Sequence, residues 1–426
     1  MLKRFKVTPL DLLFLLVSIA LCVLCMAGEL LSVIDTTHLL RVGLEGFVIA
    51  ASIFLIILKG DMNRRILLTY IWMILMIAIT FNNSAWGFAA TLRFITTLVV
   101  CAMVLRYDRM LDILLVCLSI TCGIYAFCTI WFYFDSGFYM NHILPLYPEQ
   151  RAQLLRWYNS GCMAGLTNHY STNAMYVSVG LLTAFTYLRR KPKNAVIWIW
   201  TIFMGVALLL TGKRAHILFS AVAIVFGILM SLKSMNVQKK AITITAGSVI
   251  AIAAIAFAFI KFPALTKFIQ RFQETMDSGN VSMGRFDLWK AAIEAFKNKP
   301  IFGIGWKQYK PTVSILLAKS RTYEVHNVYL QLLCETGIIG ALVYYIWFVV
   351  MLVMAMKNIR DYANNDKGNG LVKCFFALIM QCFFLMYCLT GNPLYDSMMY
   401  MPYFVACGIT INMANNLDVK TAKEDK

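Results

Sequence analysis

Three residues of the chain have side chains whose chemistry suits the transfer of a group away from a phosphate. His326 begins a His-Asn-Val-Tyr-Leu segment, and its imidazole titrates near neutral pH, as a general base for a hydroxyl group should. Arg214 and Arg285 carry guanidinium groups, which bind phosphate oxygens through two parallel N–H donors. The alternative for each arginine is a contact with lipid headgroups, and for His326 a helix cap at the membrane surface.

The strongest pattern around these residues consists of ordered blocks between positions 284 and 340. They read Gly-Arg-Phe-Asp-Leu-Trp at 284–289, Pro-Ile-Phe-Gly-Ile-Gly at 300–305, His-Asn-Val-Tyr-Leu at 326–330 and Glu-Thr-Gly at 335–337. A less regular block, Leu-Thr-Gly-Lys-Arg-Ala, lies at 210–215. Their order and spacing are more specific than any one of the residues that they contain.

The same blocks predict the elements that position the chemistry. Apolar side chains recur at helical spacing after Arg285, namely Phe286, Trp289, Ile293 and Phe296. Pro300 ends this amphipathic helix, and the glycines of 303–305 predict a turn. A second short helix is expected over 325–336, with Gly337 before the next apolar stretch.

In these blocks the sequence resembles the O-antigen ligase and polymerase superfamily, with the family domain over roughly 205–350. The block at 210–215 resembles the family's Ser-Arg-Gly/Ala motif, although Lys213 replaces the usual Ser and Ala215 the frequent Gly. The resemblance implies a glycosyltransferase that moves a glycan from an undecaprenyl-pyrophosphate carrier to an acceptor hydroxyl, without cofactor or metal. In that reaction His326 is the general base, and Arg285 and Arg214 stabilise the departing pyrophosphate.

Further residues are predicted to contact the substrate. Arg93 lies about 10 Å into a predicted span at 1.5 Å per residue, where a charge must be paired or face a wet cavity. Pairing with Glu45 or Glu29 is the structural interpretation, and a cavity that faces glycan or phosphate is the functional one. The other predicted substrate contacts are Lys213, Trp289, Lys290, Asn327 and Tyr329.

Glu335 is predicted to be structural. It follows His326 by nine residues, which at 100° per residue places the two side chains half a turn apart on one straight helix. The two therefore cannot touch on such a helix, and the conspicuous carboxylate is not expected to orient the imidazole.

The amino-acid composition indicates whether these elements fold in water or in a membrane. Of 426 residues, 60% are hydrophobic and only 14% are charged, whereas a soluble domain has about a quarter charged. This excludes a cytosolic enzyme, a disordered chain and a disulfide-stapled secreted domain. The net charge of +18 would favour nucleic acid in a soluble protein, but membrane proteins concentrate Lys and Arg in cytoplasmic loops. No nucleic-acid partner is expected.

The apolar stretches predict an all-α polytopic membrane protein with about 12 transmembrane helices, a GT-C-like bundle by the resemblance. The predicted spans are 10–34, 42–58, 66–81, 86–105, 111–134, 171–188, 194–211, 215–232, 241–261, 337–356, 372–390 and 397–414. Basic residues concentrate in alternate short loops, which places the N- and C-termini in the cytoplasm.

The spans define four regions of the chain. They are an N-terminal bundle of about nine spans at 1–261, a long extracytoplasmic loop with amphipathic helices at 262–336, about three C-terminal spans at 337–414, and a cytoplasmic polar tail at 415–426.

These observations lead to one favoured function and two alternatives. The favoured function is a surface or capsular polysaccharide or O-antigen polymerase in the bacterial inner membrane, with its active site facing the periplasm or outside. The alternatives are a ligase that transfers to lipid A core or to protein, and a lipid-linked glycan flippase or transporter. The expected partners are a lipid-linked oligosaccharide donor, a glycan or lipid acceptor, the bilayer, and a flippase and chain-length regulator of the same pathway.

Overall fold

The computed structural model describes residues 8–27, 30–31, 39–60, 62–104, 106–232, 285–313, 323–365 and 369–424. Every regular element in these ranges is helical. The chain divides into two compact units, the first formed from 1–121, 285–358 and 376–426 and the second from 122–284 and 359–375.

Thirteen helices longer than one turn are described. They are α1 Pro9–Met26, α2 Leu39–Lys59, α3 Arg64–Thr80, α4 Phe88–Val104, α5 Asp108–Phe134, α6 Arg151–Asn159, α7 Tyr170–Arg190, α8 Ala195–Leu210, α9 Arg214–Ser231, α10 Arg285–Asn298, α11 Val328–Asn365, α12 Asn369–Tyr387 and α13 Ser397–Glu424. Short π-helical turns at Tyr139–Ile143 and Tyr309–Val313, and 3-10 turns at Leu144–Leu146 and Pro393–Tyr395, lie between them.

Polar side chains mark where several of the helices begin. Thr8 and Asp11 form a reciprocal capping box before α1, where Pro9 occupies the first helical position. Asn63 and Asn194 accept hydrogen bonds from backbone N–H groups in the first turns of α3 and α8. These caps satisfy donors that lipid would leave without a partner.

The prediction of a multi-pass helical membrane protein is confirmed at the level of helix length and composition. Six described helices are long and apolar enough to cross a membrane: α1, α2, α5, α9, and the apolar parts of α11 and α12. The shorter helices α4 and α8 are also apolar. The total of twelve spans and their orientation stay predictions, and the proposed span at 241–261 lies outside the described residues.

Both helices predicted within 284–340 form. The helix over Arg285–Asn298 buries Leu288, Ala291, Ala292 and Ala295, while Phe286 and Ile293 are exposed. The small alanines allow close packing, whereas periodicity alone favours the larger side chains as the buried face. The short helix predicted before Gly337 begins at Val328, and Gly337, with a φ of 63° and a ψ of −168°, separates it from the long helical stretch that continues to Asn365.

Candidate active site

The turn that follows α10 is locked into the kink of α11 by backbone hydrogen bonds. Ile304 N donates to Cys334 O at 3.0 Å, and Gly305 N donates to Glu335 O at 2.9 Å. In return, Ile338 N donates to Pro300 O at 2.8 Å. The kink frees carbonyl and N–H groups of α11, and the turn satisfies them.

Two glycines make this approach possible. Gly303 has a φ of +70° and Gly337 a φ of +63°, a region that L side chains rarely adopt. A Cβ atom on Gly303 would collide with the backbone of Glu335, and one on Gly337 would collide with the Ile301 carbonyl. The backbone of the fourth sequence block therefore requires glycine at 303, and the backbone of the second block requires glycine at 337.

The segment 82–85, before α4, holds the other side of the same turn. Trp306 N donates to Asn82 O at 3.0 Å, and Ala85 N donates to Trp306 O at 2.9 Å. The Asn83 side chain donates to Ile304 O at 2.8 Å. The Trp306 ring is fully buried against Trp86, with 5.3 Å between ring centroids. The turn is thus fixed from two directions within the first unit.

Glu335 is a buried acceptor at the centre of this arrangement. Its carboxylate accepts hydrogen bonds from Lys307 N at 2.8 Å, Tyr309 N at 3.1 Å and Gln331 Nε2 at 2.9 Å. The first two donors belong to the segment after the glycine turn. Because these bonds fix the path of that segment, the geometry agrees with the structural role expected of Glu335.

A second carboxylate connects this segment to the residues before His326. Lys307 Nζ lies 3.0 Å from Glu324 Oε1 and 4.7 Å from the centre of the Tyr395 ring. Gln331 Nε2 also donates to Glu324 Oε2 at 2.9 Å. Sequence spacing does not find this pair, since nothing in a pattern relates position 307 to position 324.

The helix that carries Arg285 is tied directly to the segment that carries His326. Trp289 Nε1 donates to Val325 O at 3.0 Å, and Tyr309 Oη donates to Leu288 O at 2.8 Å. Leu288 and Val325 are also buried in one apolar cluster with Tyr309. Burial raises the pKa of the Tyr309 hydroxyl, so it stays protonated and serves as a donor.

His326 itself has a left-handed backbone, with a φ of +55° immediately before α11. A non-glycine residue in this region carries a backbone cost that surrounding contacts must offset. The two flanking residues provide such contacts, because Val325 is held by Trp289 and the Asn327 side chain caps α11 by accepting from Leu330 N at 3.1 Å. The imidazole is half-buried.

Arg93 pairs with a carboxylate, as the structural interpretation expects. Its Nε lies 3.6 Å from Glu45 Oε1, and the Glu45 side chain is fully buried. Glu29, the other expected partner, lies outside the described residues. The pair offsets the cost of two charges inside the helix bundle, and a contact between Arg93 and substrate stays a prediction.

In the second unit, Lys213 and Arg214 lie at the start of α9. Lys213 Nζ is 5.5 Å from the centre of the Tyr170 ring, a cation–π distance. The Trp157 and His169 rings lie 4.2 Å apart, and His169 stacks on Tyr170 at 4.9 Å. Lys213 therefore lies over one ring of an aromatic cluster, while Arg214 is half-buried as the first residue of α9.

A comparison with protein families identifies this part of the chain. Residues 199–345 match the family model described as O-antigen ligase. The match covers about a third of the chain, and these residues are called the O-antigen ligase domain below. No curated protein matches the chain. The match confirms the family resemblance drawn from the sequence blocks, and its limits are close to the expected 205–350.

The O-antigen ligase domain contains all the predicted site residues except Arg93, but they belong to two units. Arg285, Trp289, Lys290, His326, Asn327 and Tyr329 lie in the first unit, and Lys213 and Arg214 in the second. Lys290 is exposed, whereas Tyr329 Oη donates to Leu385 O at 3.0 Å, so its hydroxyl has a partner within the protein. Among the described residues, no group of three His, Cys, Asp or Glu side chains could hold a metal ion.

Proposed function

We propose that the protein is a membrane glycosyltransferase that moves a glycan from an undecaprenyl-pyrophosphate carrier to an acceptor hydroxyl outside the cytoplasmic membrane. The observation that carries the proposal is the bonded link between the two reactive segments of the O-antigen ligase domain. Trp289, on the helix of Arg285, donates to Val325 O next to His326, and Tyr309 packs in the same apolar cluster and donates to Leu288 O of that helix. Such a scaffold supports fixed positions for a base and a phosphate-binding side chain.

In the proposed reaction, the acceptor oxygen attacks the anomeric carbon of the donor glycan. His326 takes the proton of that hydroxyl as the new carbon–oxygen bond forms. The bond from the anomeric carbon to the pyrophosphate oxygen breaks with inversion, and its electron pair leaves with the carrier. Arg285 stabilises the negative charge that develops on this leaving group, without a metal or cofactor. Arg214 is assigned the same task through the resemblance.

The favoured product is a chain of repeat units, which makes the protein a surface or capsular polysaccharide or O-antigen polymerase. Transfer to lipid A core or protein is the ligase alternative within the same chemistry. Substrate contacts from Arg93, Lys213, Trp289, Lys290, Asn327 and Tyr329 belong to the proposal. The proposal also includes a location in the bacterial inner membrane, an outward-facing active site, and a flippase and a chain-length regulator as pathway partners.

The direct test uses purified protein with an undecaprenyl-pyrophosphate-linked oligosaccharide and reads products by gel and mass spectrometry. A polymerase produces a ladder of longer carrier-linked glycans, whereas a ligase needs an added acceptor and gives single transfers. His326→Ala should lower the transfer rate by about 10²–10⁴-fold, the typical contribution of a general base. Arg285→Ala should lower it by about 10²–10³-fold, as for loss of one donor to a developing anion.

Two matched variants control for nonspecific damage. His142→Ala removes an exposed histidine, and Lys297→Ala removes an exposed cation from the helix of Arg285. Both should retain transfer, and all variants should elute as folded protein at normal expression. Full activity in His326→Ala would remove the assigned base. Translocation of the lipid-linked oligosaccharide without any transfer would instead support the flippase alternative.

A further inference from the structure

The first unit contains an apolar groove that is separate from the residues assigned to glycan transfer. A cavity of about 240 Å³ lies between α3 and α11, with Trp72, Ile346 and Val350 among its walls. Ile346 and Val350 are each 45% exposed, so the groove opens on the outside of this unit. Its volume is below the roughly 300–1,000 Å³ of pockets that enclose a drug-sized ligand. It therefore suits part of a chain-like molecule.

The walls of the groove are fixed by contacts within the protein. Trp72 Nε1 donates to Val343 O at 2.9 Å, which joins α3 to α11. The Trp347 ring is buried, with 3% of its surface exposed. A groove between helices joined in this way exists before any ligand binds, so little free energy is needed to form it.

One charged residue, Arg65, lines this otherwise largely apolar groove. Its Nη1 donates to Asn415 Oδ1 at 3.0 Å, a contact that orients the guanidinium group. Arg65 also belongs to the basic loops that are predicted to face the cytoplasm. Apolar walls with a cation at one end are complementary to a lipid with an anionic headgroup.

The Arg65 end of the groove lies far along α3 from the candidate active site. The 17 residues of α3 rise about 25 Å at about 1.5 Å per residue, with Arg65 in the first turn, and Asn82 and Asn83 just beyond the last turn bond to the segment of the glycine turn. The hydrocarbon core of a bilayer is about 30 Å thick, so this distance is most of its depth. The Arg65 end therefore belongs to the opposite leaflet from His326, which argues against the donor's pyrophosphate as the group that Arg65 meets.

We propose that this groove binds an anionic diacyl phospholipid, with an acyl chain between α3 and α11 and the phosphate at Arg65. The proposal does not depend on glycan transfer, because lipid binding is measured without donor or acceptor. Its occupant has the chemistry of phosphatidylglycerol: a single negative charge on the phosphate and two apolar chains.

The test uses the two tryptophans of the groove as reporters. Purified full-length protein is placed in mixed micelles, and fluorescence is quenched with phosphatidylglycerol or phosphatidylcholine brominated on the acyl chains. The wild-type protein should prefer phosphatidylglycerol by about fivefold, as expected for one cation near an anionic headgroup. Trp72→Phe should reduce the quenchable fraction of the fluorescence.

Two kinds of variant separate the effect of the Arg65 charge from the effect of the apolar groove. Arg65→Ala should reduce the lipid preference to near one, whereas Arg64→Ala removes the exposed neighbouring arginine and should leave it unchanged. Val350→Trp fills the groove and should abolish preferential quenching while Arg65 remains. Equal loss in Arg64→Ala, or an unchanged preference in Arg65→Ala, would overturn the proposal. So would displacement of the brominated lipid by undecaprenyl phosphate but not by unlabelled phosphatidylglycerol.

Discussion

The turn at 300–305 and the Lys213–Arg214 corner both belong to the O-antigen ligase domain, yet different kinds of contact hold them. The turn is fixed by backbone hydrogen bonds and by two glycines that allow backbones to touch. At the corner, the Lys213 ammonium group makes a side-chain contact 5.5 Å from the centre of the Tyr170 ring. Close backbone contact requires glycine at a given position, whereas a position that packs against a ring tolerates several residue types.

This difference explains why the two motifs match the family unequally well. The second and fourth sequence blocks follow the family pattern closely, since the backbone of each block leaves no room for a Cβ atom on the glycine of the other. The block at 210–215 departs from the pattern at Ala215 and at Lys213, whose side chain lies over the Tyr170 ring. The contrast can be tested by substitutions that span both regions.

The largest effect is expected at Gly303. Gly303→Ala places a methyl group against the Glu335 backbone and forces alanine into a positive φ. Overpacking costs about 1–3 kcal/mol and the left-handed backbone adds about 1 kcal/mol, so the thermal midpoint in detergent should fall strongly. Glycan transfer should also be lost, because His326 lies just before α11, to which the turn is bonded.

Gly205→Ala is the matched control within the O-antigen ligase domain. Gly205 lies inside α8, and a Cβ atom there meets nothing within 4 Å. Alanine is the better helix former by about 1 kcal/mol, so stability should stay the same or rise slightly. If both variants lose stability equally, the close approach of the turn to α11 is not the cause.

Sequence patterns predict the elements of this region but not their interlocking. Local rules identify α10, the stop at Pro300 and the turn glycines, since each acts on its immediate neighbours. The insertion of the turn into the kink joins residues 30 or more positions apart, and no periodicity encodes that contact. The break at Gly337 is itself predicted by a local rule, because a glycine before a span marks a helix end.

The buried face of α10 is a second case in which the pattern is insufficient. Phe286 and Ile293 have the spacing of a core stripe, yet they are exposed, and Ala292 and Ala295 are buried. Hydrophobic spacing identifies the helix, but in a membrane protein a large apolar residue is stable on the outside as well. The face of α10 that is buried is then the one whose small side chains fit against Tyr309 and Val325.

A smaller effect is expected from Glu335→Gln. The amide keeps the size of the carboxylate, but its NH2 group faces N–H donors from Lys307 or Tyr309. A buried donor left without a partner costs about 1–3 kcal/mol, which chemical denaturation in detergent should detect. Glu324→Gln is the comparison, because its partly exposed pair with Lys307 should contribute only about 0–1 kcal/mol. A larger loss in Glu324→Gln would contradict the central role of Glu335.

Tyr309→Phe tests the link between α10 and the segment after the glycine turn. It removes the hydroxyl that donates to Leu288 O and leaves the ring in the apolar cluster. The free energy of unfolding should fall by about 1 kcal/mol, the net contribution of one buried hydrogen bond. Transfer should fall more than stability implies, since Arg285 loses part of its support. Tyr323→Phe, at an exposed ring, should change neither quantity.

The smallest effect is expected at the corner, from Lys213→Ser, which restores the residue that the family usually has there. The ammonium group lies 5.5 Å from the Tyr170 ring and is partly exposed, so its cation–π contribution is about 0.5–1 kcal/mol. If Lys213 also attracts the anionic donor, its removal should raise KM by roughly two- to fivefold, since about 1.4 kcal/mol corresponds to tenfold. The turnover number kcat should stay within about twofold, because uniform binding affects KM alone.

A hundredfold loss of kcat would place Lys213 with the groups that stabilise the transition state. It would also remove the contrast between the two regions, because the corner would then be as intolerant of change as the glycine turn.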